Sequence, residues 1–212
     1  MLKKLSILLL FVGFTANSNA QIKTPQPSPA AKLEQVVGLT DVTLEYSRPA
    51  MRGRTIFGDL VPYGETWRTG ANANTKITFS DNVTIDGQEL AKGTYAIFTI
   101  PQATKWEVIF YSEHQGGGAP QTLDESKVAA RITSDVYPME MDIQSFTITI
   151  DDVTSSSAAI GIMWERAYVA IPFSVPTDKA VMASIESALA GPSAGDYYAA
   201  ASYMHSEGKD AS

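Results

Sequence analysis

Four of the six arginines in this 212-residue chain fall between Tyr46 and Phe79: Arg48, Arg52, Arg54 and Arg68. The same stretch carries Tyr63, Trp67, Asn72 and Asn74, interrupted by glycine and proline. Guanidinium forks bind planar anions in pairs of parallel hydrogen bonds, so Arg48, Arg54 and Arg68 are candidates to hold a carboxylate, phosphate or sulfate. Trp67 and Tyr63 can stack a ring, and Asn72 and Asn74 can bond hydroxyls. The opposing reading is structural: the arginines pair with Glu45, Asp59 and Glu65 and pin a long irregular loop.

Other arrangements point to chemistry less well. Gly191-Pro192-Ser193-Ala194-Gly195 matches the serine-nucleophile pattern. A nucleophile elbow needs a strand before it and a helix after it, whereas here helices are expected on both sides. His114 and His205 are the only histidines and neither has a second ligand at metal spacing, so no metal site and no cofactor is assigned. His114 lies beside Glu113 and the run Gly116-Gly117-Gly118, a mobile-loop composition that can cover a site. That run lacks the continuation of a phosphate loop. Asp81, Asp86, Asp151 and Asp152 fit turn chemistry, and Trp106 and Trp164 fit a core.

Composition narrows the classes further. Lys3 and Lys4, the apolar run Leu5–Phe14, and the small residues Ser18 and Ala20 read as a signal peptide over residues 1–20. The chain is therefore expected to be exported, to the periplasm or beyond, with no later membrane span. Losing the two leader lysines takes 16 basic residues to 14 against 23 acidic ones, a net charge near −9. Such a chain is a poor partner for nucleic acid, whose affinity rests on neutralised phosphates. Zero cysteines exclude disulfides, thiolate chemistry and an acylated-cysteine anchor.

The elements that must position the arginines come from period-2 alternation. Residues 21–31 form a flexible proline-rich leader, with order beginning near Lys32. Strands are expected at Leu33–Val37, Val42–Tyr46, Lys76–Phe79, Val83–Ile85, Thr94–Ile100 and Lys105–Tyr111. Thr94–Ile100 has apolar residues on both faces and should be central. Lys127–Thr133, Ser145–Ile150, Ala158–Trp164 and Ala167–Val175 follow, with a tight turn at Glu165-Arg166. Residues 32–175 thus read as a mainly β unit, an antiparallel β-sandwich or jelly-roll-like domain. Residues 176–212 form a helical hairpin and tail. Thr177 is its expected N-cap, with Val181, Met182, Ile185 and Leu189 on one inward face, and Tyr197, Ala200, Ala201 and Met204 on another.

The ordered blocks Tyr46-Ser47-Arg48-Pro49, Gly53-Arg54-Thr55-Ile56-Phe57-Gly58, Leu60-Val61-Pro62-Tyr63-Gly64 and Trp67-Arg68-Thr69-Gly70-Ala71-Asn72 are specific. With Ile77-Thr78-Phe79-Ser80 and Gly93-Thr94-Tyr95, they resemble the domain-of-unknown-function 2911 family over roughly residues 28–175. The resemblance implies an exported bacterial protein, commonly of Bacteroidota type, and no established activity. This chain departs from the family pattern after Tyr111, where Ser112-Glu113-His114-Gln115-Gly116 replaces a tryptophan-containing loop.

Three functions stay open. One is a non-enzymatic binding module for a small polar or anionic ligand, using Arg48, Arg54, Tyr63, Trp67, Arg68 and Asn72. Its helical hairpin could dock a protein partner or a second copy. Another is an envelope hydrolase or lyase acting on sugar or peptide, with His114 or Glu65 as acid or base. The third is a purely structural envelope protein.

Overall fold

A computed structural model describes residues 24–208; the expected signal peptide over residues 1–20 lies outside the described residues. The chain forms β1 (Ala30–Val37), β2 (Thr40–Ser47), β3 (Lys76–Phe79), β4 (Val83–Ile85), β5 (Gln88–Leu90), β6 (Gly93–Pro101) and β7 (Lys105–Tyr111). The long strands β8 (Val128–Asp151) and β9 (Ser157–Ser174) follow, then the helices α1 (Thr177–Leu189) and α2 (Ala194–Ser206). All nine strands join one antiparallel sheet in the order β1-β2-β3-β6-β7-β8-β9-β4-β5. The expected mainly β architecture with two C-terminal helices is present.

β8 links the two halves of the sheet. Its first part pairs with β7, from Tyr111↔Val128 to Lys105↔Asp135. Its second part pairs with β9, from Val136↔Val169 to Asp151↔Ala159. The halves come together across the core: Tyr46 of β2 exchanges hydrogen bonds with the backbone of Ile148 of β8, and Phe79 meets Phe173 edge-on at 5.6 Å. Leu44, Ile77, Ile97, Val108 and Phe110 are buried from one half, and Phe146, Ile148, Ile160, Ile162 and Ile171 from the other. Alternation puts every second residue of each strand inward, and burial of these side chains is the main stabilising term.

β6 is internal, as its two-sided apolar pattern predicts. Ile97 faces the main core, while Ala96 and Phe98 join Ile109 and Tyr111 in a smaller cluster on the opposite face, covered by Ala119 and Leu123. The loop after β7 therefore acts as a lid on the outer side of the sheet.

Three expectations are corrected. The four strands expected after residue 127 are two, because the stretches 134–144 and 165–166 stay extended. The expected turn at Glu165-Arg166 is instead the middle of β9, opposite Ile143. Glu165 has φ 53° there, and the register slips between Pro138 and Ile143; a bulge in β8 absorbs the extra residues. Arg166 closes across it onto Asp142 at 2.7 Å. Order also reaches further back than Lys32, since β1 starts at Ala30 and the carbonyls of Pro27, Ser28 and Pro29 all accept hydrogen bonds from the arginine-rich stretch.

The helices form near their expected limits, but neither has an inward face. Val181, Met182, Ile185, Leu189, Tyr197 and Met204 are exposed, and no residue of either helix is buried. The core cluster is built within the sheet and its loops, and no residue of α1 or α2 belongs to it. Pro176, not Thr177, is the N-cap of α1; Thr177 instead packs against Gly38, where even a Cβ would come within 1.9 Å of its hydroxyl. Ser193 caps α2 in a reciprocal box with Asp196. The serine of the nucleophile-like pattern is thus a helix cap.

Candidate functional site

The segment between β2 and β3 is irregular because its backbone is fixed by turns and caps instead of ladder bonds. It docks on the sheet at two isolated bridges: Ala50 lies opposite Ser145 of β8, and Trp67 exchanges backbone hydrogen bonds with Thr99 of β6 at 2.7 and 2.9 Å. Two residues beyond Trp67, Thr69 is fully buried with φ 54°, and Asn72 has φ 59°. Asparagine tolerates the left-handed region, but a β-branched residue there is strained. Thr69 is held by Thr99 Oγ1 at 3.1 Å and by the Thr75 hydroxyl, which donates to its carbonyl.

Beneath this loop lies an aromatic cluster. Trp67 stacks on Trp164 at 5.9 Å with 18° between the rings, and meets Phe57, Trp106 and Phe146 edge-on. Trp106 and Trp164 are core, as their alternation predicts. Trp67 is half-buried, with one face committed to Trp164.

Above the cluster is a cleft of about 480 Å³ bordered by Ser28, Pro49, Arg54, Leu60, Val61, Trp67, Arg68, Gly70, Ala71, Asn72 and Trp164. Four of the predicted residues, Arg54, Trp67, Arg68 and Asn72, therefore share one cavity. Among the described residues, no aspartate, glutamate, histidine or lysine borders it. Arg54 donates from Nε to Met51 O and from Nη2 to Ala50 O, at 2.9 and 2.8 Å. Arg68 donates from Nη1 to Asn72 O at 2.9 Å. Asn72 Nδ2 donates to Ser28 O and Ser47 Oγ at 3.0 and 3.3 Å.

Arg48 and Tyr63 lie elsewhere. The Arg48 guanidinium donates to Phe146 O at 3.0 Å and Thr147 Oγ1 at 2.8 Å, tying the end of β2 to β8. Arg52 bonds Pro27 O. Tyr63 covers Gly58, where a Cβ would lie 2.9 Å from its ring, and borders a separate hollow with Glu165 and Arg166. The expected pairing of these arginines with acids is absent: among the described residues none of Arg48, Arg52, Arg54 and Arg68 has an ion pair. Glu45 pairs with Lys76 instead.

Asn74 is buried and does not face the cleft. It grips the glycine-rich loop through Asn74 N to Gly116 O, Nδ2 to Gln115 O and Gly118 N to Oδ1. Gly117 packs on this segment so closely that a Cβ would sit 2.9 Å from Asn72 O. His114 is half-buried with its Nδ1 3.2 Å from Gln115 Nε2, and Glu65 is exposed; neither borders the cleft. Asp81 and Asp151 take turn and hydroxyl partners, and no group of acids or histidines among the described residues could hold a metal ion.

Ser28, Leu60, Trp164 and Glu165 are the contributors that composition did not flag. Glu165 alone left a signal, as a lone acid inside an apolar run. Its carboxylate accepts the backbone N–H groups of Ile56 and Phe57 and so fixes the turn that carries Leu60 and Val61.

The sequence model of a family described as a protein of unknown function, DUF2911, matches residues 28–173. The chain belongs to the DUF2911 family. The match spans all nine strands up to Phe173, and the whole cleft lies within it. No curated protein and no solved structure compared with this DUF2911 chain matches it. Among the described residues, no helix is long and apolar enough to cross a membrane.

Proposed function

We propose that this DUF2911 chain is an exported, non-enzymatic binding module that holds a small anionic ligand in the cleft beside Trp67. The observation that carries this reading is the arrangement of Arg54 and Arg68. Two guanidiniums border one cavity, and among the described residues no acid neutralises either and none borders the cavity. Cations left without counter-ions beside an apolar floor favour an incoming anion, because their remaining N–H donors and charge have no competing acid. The cleft volume of about 480 Å³ falls within the range usual for small-molecule sites.

Acid–base catalysis has less support. General acids and bases must reach the reacting group, and neither His114 nor Glu65 borders this cleft. Export rests on the leader pattern of residues 1–20. The exposed apolar residues of α1 and α2, such as Ile185 and Leu189, offer a separate surface for a protein partner or second copy. Sedimentation of the chain and of Ile185→Glu tests that: an identical monomer in both would remove self-association.

A thermal-shift screen of envelope-derived sugars, peptides and organic anions tests the cleft. An organic anion should raise the melting temperature of the wild-type chain and leave Arg68→Ala unmoved. Arg68→Ala itself should melt within a few degrees of wild type, since only one hydrogen bond to Asn72 O is lost. Equal ligand shifts in both proteins would place binding elsewhere.

A further inference from the structure

Resting on that reading, we propose that the cleft selects a monocarboxylate bearing a neutral N–H or O–H donor next to an apolar body, the chemistry of an N-acylated apolar amino acid.

The selection starts from which guanidinium edges are already used. A carboxylate pairs best with the side-on edge of arginine, formed by Nε and Nη2. Arg48 has committed that edge to Phe146 O and Thr147 Oγ1. Arg54 has committed the same edge to Met51 O and Ala50 O. Arg68 differs: its one hydrogen bond leaves from Nη1, to Asn72 O. Among the described residues its Nε/Nη2 edge has no partner. Arg68 is therefore the one member of this trio whose preferred side-on edge is open to a carboxylate, while Arg54 adds positive charge and its remaining end-on donors.

Asn72 supplies the second criterion. Both N–H donors of its carboxamide are directed at Ser28 O and Ser47 Oγ. What remains is Oδ1, an acceptor, which repels an anionic oxygen and rewards a donor on the ligand. That donor must be neutral, because an ammonium would face two guanidiniums.

The remaining border is apolar: Pro49, Leu60, Val61, Trp67 and Trp164. Leu60 is exposed at 43% and has surface left to bury. A phosphate or sulfate has three or four oxygens to satisfy, and those turned away from Arg68 and Arg54 would lie unpaired against this wall. A carboxylate has two oxygens and brings an apolar body to cover the wall.

Two sources share this chemistry: a free acylated amino acid and the C-terminal residue of a peptide. Calorimetric titration of the full chain with N-acetyl-leucine, N-acetyl-leucinamide, 4-methylpentanoate, leucine, inorganic phosphate and a tripeptide ending in leucine separates the criteria. N-acetyl-leucine should bind. Losing the carboxylate as the amide, losing the donor as 4-methylpentanoate, or adding an ammonium as leucine should each weaken binding about tenfold or more. Arg68→Lys keeps the charge but not the fork and should also lose about tenfold or more. A tripeptide tighter than N-acetyl-leucine identifies a peptide terminus as the source, and a weaker one identifies the free acid. Phosphate competing as well as N-acetyl-leucine, or Arg68→Lys binding as wild type does, overturns the class while leaving an anion site in place. No binding by any anion overturns both. Comparing N-acetyl-leucine with its amide on the wild-type chain keeps the test intact should Arg68→Lys fail to fold.

Discussion

The carboxylate of Glu165 accepts the backbone N–H of Phe57 at 3.1 Å, across more than a hundred residues of chain, and that of Ile56 at 3.2 Å. Glu165 stands at φ 53° in the middle of β9, so a strained backbone position aims one side chain at two otherwise unpaired loop amides. Removing it leaves both amides without their acceptor. Glu165→Ala should lower unfolding free energy by about 2 kcal/mol, and Glu165→Gln, which keeps one carbonyl acceptor, by roughly half as much. Urea denaturation measures both; an Ala variant as stable as wild type would show that water replaces the carboxylate at no cost.

Arg48 and Arg68 should separate when each is replaced by alanine. Arg48 links β2 to β8 through Phe146 O and Thr147 Oγ1, so Arg48→Ala should cost about 1–2 kcal/mol of stability yet leave anion affinity unchanged. Arg68→Ala should do the reverse. Thermal melts with and without an organic anion read both effects, and the pair of assignments fails if Arg48→Ala abolishes the ligand shift while melting normally.

Asn74 ties the loop over the outer face of β6 and β7 to the segment that carries Asn72. Through Gly118 N to Oδ1 and Nδ2 to Gln115 O, one buried carboxamide holds both ends of the triple glycine. Asn74→Ala should raise hydrogen exchange at Gly118 about tenfold or more, since its amide loses its acceptor. Unchanged exchange there, with the protein still folded, would mean that packing alone positions the loop.

Alternation made the sheet legible where strands are short and one-sided. β2, with Val42, Leu44 and Tyr46 inward, and β6, apolar on both faces, sit where their patterns put them. It failed at β8 and β9, where a bulge and a left-handed glutamate carry the ladder through residues that resemble a turn. The candidate site was legible as a segment but not as a set. Which arginine braces and which borders the cleft depends on carbonyls of Ala50, Met51, Phe146 and Asn72, and a carbonyl carries no sequence signal. Ser28 was hidden for the same reason, being recruited by backbone bonds from a stretch whose composition suggests a flexible tether. The helices kept their helical pattern without a buried face, because periodicity reports amphipathicity and not the presence of something to cover it.

Tyr168 gives the fold a dependence on alkaline pH. Burial, and then its hydrogen bond to Asp151 Oδ2 at 3.1 Å, push the phenol from its ordinary value of 10.0 up to about 12. Asp151 also accepts from Thr149 Oγ1, and Asp152 adds further negative charge nearby. Between pH 10 and about 12 the unfolded chain has lost this proton while the folded chain keeps it. The unfolded state then binds fewer protons, so unfolding free energy falls as pH rises through that window, and the contribution is fully present below pH 10. Tyr168→Phe removes the titrating group, leaving Asp151 its Thr149 partner. Urea melts at pH 9, 10, 11 and 12 should show a steeper decline for wild type than for Tyr168→Phe; parallel declines would assign the alkaline sensitivity to other groups.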